Sequence, residues 1–385
     1  MSEIIDLYNK IENDEFNKLT FEERILYIPQ ILKDYNYGKI NNENELCFNV
    51  CREHTGRSEK IIDILCNGIK RQELDKIINI NKIISKKNFN WHFKVVPTSS
   101  IFMHTYQKRL IDKFYPNAKN ILELGPGSGY LSVLLANDNK TLFTTDVFQP
   151  HYIYQNFIYK NCSNLNEMVL NSEFILKPNM INHIPWWKFK NLKGKEFKID
   201  LIIMNHMIVE MHTNSLKRNL AIFNLFKNPD IFLESTGDPI YNSWDITQKI
   251  LNEYYYKLSF KGGGTKDTNK VYIFKKDLAD NQNIKIDKKN SFLKKLYLLL
   301  PFRKVFLITS RYILNEIWIF LKKISRYNIY ERKKIDYKRN IKNFTIFKEK
   351  NELFYKDIIK IYNDNGWDIN CLDSKFKNSL KPKKF

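Results

Sequence analysis

Cysteine is scarce in this chain. Its five residues, Cys47, Cys51, Cys66, Cys162 and Cys371, are odd in number and scattered, which excludes a disulfide framework and fits a reducing cytoplasm. Cys47, Cys51 and His54 are close in sequence, with Cys66 beyond. They lack the paired C-x-x-C spacing of a zinc module, and residues four apart share a helix face without any chemistry. No metal site is expected. No run of 18 uncharged apolar residues occurs, so no spanning helix is expected. The opening residues, Met1-Ser2-Glu3-Ile4-Ile5-Asp6, carry acids and no apolar segment, unlike a secretory signal. Acids are in deficit, with 42 Asp and Glu against 63 Lys and Arg, a net charge of +21.

That surplus fits an anionic partner: nucleic acid, an acidic membrane face or an anionic substrate. It has a second source in composition, since the chain is crowded with the Lys, Asn and Ile that A/T-rich codons supply. Hydrophobic residues make up 43% and aromatics 14% of the 385 residues. A chain of this length and composition can bury a large core and hold one catalytic domain with additions.

The pattern along the chain divides it in three. Residues 1–95 read as an α-helical cap, with Ile4, Ile5, Tyr8 and Ile11, then Ile61, Ile62, Leu65 and Ile69, at helical spacing. Residues 96–277 alternate strand and helix. A helix is expected to start at Thr98-Ser99-Ser100, capped by a hydroxyl side chain. Strands are expected at 121–124, 142–147, 200–205 and 230–234, with helices at 130–136, 151–159, 215–226 and 246–253 between and after them. The run at 200–205 is continuously apolar, as a parallel strand covered on both faces requires. Strands at 254–260 and 271–274, around Gly262-Gly263-Gly264, are expected to close the sheet as an antiparallel pair. The expected fold class is α/β, a doubly wound Rossmann-like sheet.

Residues 278–385 form a basic, mainly helical extension. Between 285 and 342 there are 17 Lys and Arg against 4 Asp and Glu, a surplus of 13. Lys304, Arg311, Asn315, Lys322 and Arg326 form one polar stripe beside a wide apolar face that includes Phe306, Ile313, Ile317, Trp318 and Leu321. Such a helix suits an anionic membrane surface, at the inner face of the membrane for a cytoplasmic protein. Packing against the catalytic domain or a second copy is the plainer alternative.

The chemistry centres on Glu123-Leu124-Gly125-Pro126-Gly127-Ser128-Gly129. A strand, a glycine turn and a helix bring bare backbone close to a ligand. The spacing G-x-G-x-G departs from the dinucleotide fingerprint G-x-G-x-x-G. Glu123, two residues before the first glycine, would repel a pyrophosphate and attract the amino cation of a methionine moiety. The loop therefore favours S-adenosyl-L-methionine (SAM) over a dinucleotide. Asp146, at the end of the next expected strand, stands where an acid accepts ribose hydroxyls. Its plainer role is a helix cap.

Together, the glycine loop and Thr145-Asp146 resemble the first two motifs of the class I SAM-dependent methyltransferases, as does the order of elements over 96–277. More narrowly, the chain resembles the sugar O-methyltransferases of bacterial surface-polysaccharide synthesis. Residues 123–130, the Asp146-Val147-Phe148 turn and the strand end Asn205-His206-Met207-Ile208-Val209-Glu210-Met211 carry that likeness. The resemblance implies SAM as cofactor, held by Glu123, Gly125, Pro126, Gly127, Gly129 and Tyr130 of the loop, by Asp146 and Val147, and by Asn205. It implies a glycan or nucleotide-sugar acceptor.

Ligands of such sheets bind beyond the carboxyl ends of the strands, where Asn205, His206, Glu210 and His212 stand. A sugar hydroxyl has to lose a proton, so a general base is expected. His206 is the first choice because histidine titrates near neutrality; Glu210 and His212 are alternates. A structural histidine bonded to backbone is the competing reading. Trp186 and Trp187 suit either a ring-stacking role or the core. Glu234 and Asp238 follow the next strand and face the same crevice. The rival function is a nucleic-acid methyltransferase, favoured by charge. The strand end Asn205-His206-Met207-Ile208 has neither the Pro-Pro-aromatic element of amine methylation nor the cysteine of cytosine C5 chemistry. Ribose 2′-O methylation remains, as does a non-catalytic scaffold in glycan assembly.

Overall fold

In the computed structural model of the chain, the described residues are 2–20, 39–50, 69–86, 97–168, 175–189, 198–208, 211, 213–226, 228–236, 244–263, 269–277 and 355–367. The chain forms two compact units, Met1–Lys276 with Ile346–Phe385, and Asp277–Thr345. Of the second unit only Asp277 is described, so the basic stretch 285–342 and its expected helix lie outside the described residues.

The described elements are α1 (Ser2–Asn17), α2 (Glu43–Val50), α3 (Arg71–Lys86), α4 (Thr98–Phe114), β1 (Asn120–Leu124), α5 (Tyr130–Ala136), β2 (Thr141–Thr145), α6 (Gln149–Cys162), β3 (Leu165–Glu167), β4 (Ile181–His183), α7 (Trp186–Phe189), β5 (Leu201–Ile203), α8 (Thr213–Phe223), β6 (Asp230–Thr236), α9 (Trp244–Glu253), β7 (Tyr256–Gly263), β8 (Asn269–Lys276) and α10 (Tyr355–Asp364). The eight strands form one sheet in the order β3-β4-β2-β1-β5-β6-β8-β7. Pairings are parallel from β3 to β6, and β8 runs antiparallel to both β6 and β7. The expected doubly wound sheet with an antiparallel closing pair is the observed one.

Alternation along the strands divides the core. Ile121, Leu201, Ile203 and Phe232 belong to a cluster with α4, α5 and α6, and Leu122, Ile202, Ile231 and Leu233 to a cluster with α8 and α9. Successive side chains of a strand leave opposite faces, so a sheet covered on both sides has apolar residues at every position. The N-terminal helices share the first cluster through Ile5, Tyr8, Leu46, Leu74 and Ile77, and so does α10 through Ile358 and Tyr362. Asn81 on α3 donates to the Tyr362 hydroxyl at 2.8 Å in a buried bond.

Local details depart from expectation. Thr98 is the first helical residue of α4, with Pro97 at the cap position and no side-chain cap bond. The strand expected at 200–205 is three residues long, Leu201–Ile203, and Asp200 instead accepts from the Lys119 and Asn120 amides at 2.9 Å, pinning β5 to the start of β1. The backbone at 262–263 continues β7 rather than turning. Strands β3 and β4 were not expected. Their sequences, Leu-Asn-Glu and Ile-Asn-His, carry no apolar run.

Candidate active site at the carboxyl ends of β1, β2 and β5

The glycine loop leaves β1 at the centre of the sheet. Gly125, Gly127 and Gly129 all have positive φ, at 59°, 59° and 79°, a region that L side chains enter only at a cost. Each glycine answers a different demand. A Cβ on Gly129 would stand 2.7 Å from the Tyr159 ring of α6, and one on Gly125 would stand 3.1 Å from the Met207 sulfur, whereas one on Gly127 would meet nothing within 4 Å. The loop is therefore packed at both ends and bare in the middle. The Gly125 amide donates to the Thr145 carbonyl at 2.9 Å, tying the loop to the end of β2, and the Gly129 amide donates to the Pro126 carbonyl at 3.0 Å.

Glu123 lies beneath this loop, 2% exposed, and accepts a hydrogen bond from the Ser132 hydroxyl on α5. Burial pushes its carboxyl from the usual 4.5 to about 7; the Ser132 bond opposes the shift and the Asp146 charge adds to it. Tyr130 is wholly buried. Its hydroxyl shares a 2.6 Å hydrogen bond with that of Tyr154, so its side chain belongs to the core and its backbone opens α5. Pro126 is buried and Val147 half-buried.

Asp146 is 6% exposed. One oxygen accepts from the Phe148 amide at 2.9 Å, a local turn leading into α6, and the other from Gln155 Nε2 at 2.9 Å. The helix-entry role and a ligand-facing role are compatible, because an ionised carboxylate has about four acceptor positions. His151 stands 3.9 Å from Asp146 through Nδ1, edge-on to Phe148.

At the end of β5, Asn205 Oδ1 accepts from the Glu234 amide at 2.9 Å, and Asn205 Nδ2 is buried with no hydrogen-bond partner. His206 has φ 58°, sparsely populated for a non-glycine residue. Its amide donates to the Glu234 carbonyl at 2.7 Å. Observed strain of this kind concentrates at functional positions. Glu210 and His212 lie outside the described residues. The cluster also contains residues that sequence reasoning missed. Gln107 on α4 donates to the buried Glu234 carboxylate at 2.6 Å, and Gln107 Oε1 is buried without a partner. His104, one turn before it on α4, packs 6.1 Å from the Tyr130 ring. The missed signal is a row of polar residues, His104, Thr105, Gln107 and Lys108, all buried in a helix.

Trp186 and Trp187 are core residues, 3% exposed each. Trp187 packs 5.3 Å from Tyr8, and Trp186 donates to Glu12 at 3.0 Å. Among the described residues no group of three or more His, Cys, Asp or Glu is arranged to hold a metal ion.

The bare Gly127 backbone, an acid beneath the loop, an acid at the neighbouring strand end and an unpartnered amide at Asn205 fit a ligand with an amino cation and a ribose. No Lys or Arg stands in the loop to meet a pyrophosphate. The residues fit SAM.

Compared by sequence, the chain matches no family profile and no curated protein. Solved structures are similar to it. A TehB-like SAM-dependent methyltransferase from Corynebacterium glutamicum is 14% identical over 44% of this chain and 87% of that one, with a TM-score of 0.35. A magnesium protoporphyrin IX methyltransferase from Synechocystis, crystallised with SAM, is 11% identical over 57% of this chain and 98% of that one, at 0.34. The methyltransferase domain of a bacterial Hen1 is 14% identical over 46% and 99%, at 0.34. The sheet of this chain has itself the doubly wound, Rossmann-like order, with the expected antiparallel closing pair. Among the described residues no helix is long and apolar enough to cross a membrane.

Proposed function

We propose that this protein is a SAM-dependent O-methyltransferase that methylates a sugar hydroxyl of a surface glycan or its nucleotide-linked precursor. The observation that carries the cofactor part is the bare loop at Gly127, joined to the β2 acid Asp146 at the carboxyl edge of the sheet. Asp146 accepts the ribose hydroxyls, and the Glu123 charge beneath the loop favours the amino cation. When bound, SAM supplies an electrophilic methyl group. The chain's own residues then have to orient the acceptor and take its proton. Asn205 Nδ2 donates to the cofactor, and His206 removes the acceptor's hydroxyl proton near neutral pH.

The sugar assignment rests on the resemblance at residues 205–211 and on the polar residues Gln107 and Glu234 buried beside Asn205. Unpartnered buried donors and acceptors favour a hydroxylated ligand over an apolar one, because each lost hydrogen bond there costs about 1–3 kcal/mol. The basic stretch 285–342 is proposed to rest on an anionic membrane surface, which would bring the enzyme to a lipid-linked acceptor. The charge surplus favours one other acceptor, an RNA ribose.

Calorimetric titration with SAM and with its demethylated product, S-adenosylhomocysteine (SAH), tests the cofactor part; absence of binding by both would overturn it. A radiolabelled methyl-transfer screen against nucleotide sugars, cell-envelope glycans and RNA tests the acceptor. Label in RNA alone, with steeply salt-dependent binding, would replace the sugar reading.

A further inference from the structure

We propose that Gln155 is the positioning residue of the cofactor site, one side-chain amide that holds the glycine loop and the ribose-binding acid in register. The inference rests on the cofactor reading above. Gln155 is completely buried on α6. Its Nε2 donates to the Gly127 carbonyl at 2.8 Å and to the Asp146 carboxylate at 2.9 Å. These are the bare position of the loop and the acid of the next strand, and the same two hydrogens serve both. The amide orientation is set by chemistry, since a carbonyl oxygen turned the other way would face two acceptors.

His183 on β4 fixes the far end. Its Nε2 stands 3.0 Å from Gln155 Oε1, and an amide oxygen only accepts, so Nε2 carries the proton. Burial holds the His183 pKa well below its usual range, leaving Nδ1 unprotonated. Asn156 Oδ1 stands 2.6 Å from Nδ1; two acceptors do not face each other, so with Nδ1 unprotonated the Asn156 amide is assigned the reverse way, its NH2 toward the ring. Tyr152, stacked at 3.8 Å, and Tyr159, edge-on at 5.0 Å, lock the imidazole plane. The result is a relay of fixed dipoles from His183 through Gln155 to the loop.

Two consequences reach the ligand. Holding the Gly127 carbonyl inward turns the Ser128 N–H the opposite way, because the two are antiparallel across a trans peptide. Holding one Asp146 oxygen from the side, while the Phe148 amide holds the other, leaves the carboxylate one orientation in which to meet two ribose hydroxyls. A preorganised site binds more tightly because less ordering is left to do on binding.

The test is calorimetric binding of SAH to the full chain. Gln155→Leu should weaken binding at least about tenfold, the loss of a hydrogen bond to a charged group. In an Asp146→Ala background the same substitution should cost markedly less, because part of its effect runs through Asp146; a purely structural role would cost the same in both. Gln155→Glu keeps the volume but donates at most one hydrogen bond, and none when ionised beside Asp146, so it cannot hold both partners and should also weaken binding. Wild-type affinity in a folded Leu or Glu variant overturns the inference. In the wild-type protein labelled with 15N at glutamine, the Gln155 side-chain amide should exchange slowly with solvent and shift when SAH is added. Exchange at the free-amide rate overturns the inference even if both variants fail to fold. A wild type that binds neither SAM nor SAH defeats the cofactor reading itself, a result distinct from all of these.

Discussion

Replacing Glu123 by Gln should make the ligand-free protein more stable at alkaline pH and a poorer SAM binder. The carboxyl is almost fully buried, and its pKa stands at about 7 instead of 4.5. The folded protein therefore holds a proton that the unfolded chain releases, so stability falls as pH rises between these values. A shift of roughly 2.5 units at about 1.4 kcal/mol each corresponds to on the order of 3 kcal/mol, fully developed above about pH 7. Glutamine carries no charge to desolvate and can still accept from the Ser132 hydroxyl. Urea unfolding of Glu123→Gln and wild type across a pH series should show little difference near about pH 4.5 and an advantage for the variant of about 3 kcal/mol near about pH 8. The opposite effect is expected on SAM affinity, which loses the negative charge beneath the loop. A stability difference that does not change with pH, or a variant less stable at alkaline pH, would refute the burial argument.

Asp146→Ala should weaken SAH binding by about 3 kcal/mol or more, the value of two hydrogen bonds to a carboxylate at about 1.5–3 kcal/mol each, and unchanged affinity in calorimetry would assign the acid to helix entry alone. Gly129→Ala should destabilise the fold by about 1–3 kcal/mol through left-handed strain, with the Tyr159 clash adding to it, whereas Gly127→Ala carries the strain alone and acts mainly on the ligand; thermal melts and titrations separate the two. His206→Gln should lower the methyl-transfer rate about 100-fold or more with cofactor affinity intact, and a rate within about twofold of wild type would remove His206 as the base. Replacing residues 285–342 by a short flexible linker should release the protein from anionic vesicles, with equal co-sedimentation counting against the membrane role. Deleting the whole tail from 285 would confound that comparison with a loss of stability, because Tyr362 of α10 is buried in the main core.

The legible parts of this protein were those written in local patterns. The apolar strands at 121–124 and 230–234, the glycine loop and the closing antiparallel pair follow from short apolar runs and from glycine conformation. The illegible parts are polar residues buried by contacts distant in sequence. His183 and Asn182 lie on a three-residue strand that is a strand only through its pairing with β2 and β3. Gln107 and Glu234 are 127 positions apart and meet only in the folded chain, which brings a residue of α4 beside one of β6. No periodicity announces such a pair, since a buried polar residue is tolerated only once its partner is in place.

The amino-acid order alone determined the sheet class, the position of the glycine loop and the acids on either side of it, because each depends on residues within a few positions of one another. Folding in three dimensions decided how those parts are held. It placed Glu123 under the loop, where loss of water raises its pKa, and brought Gln155 to bond both the loop and Asp146, with His183 behind Gln155. It also drew the N-terminal helices and α10 into the core of the sheet. Those outcomes depend on desolvation and on contacts across the chain, which exist only in the packed molecule.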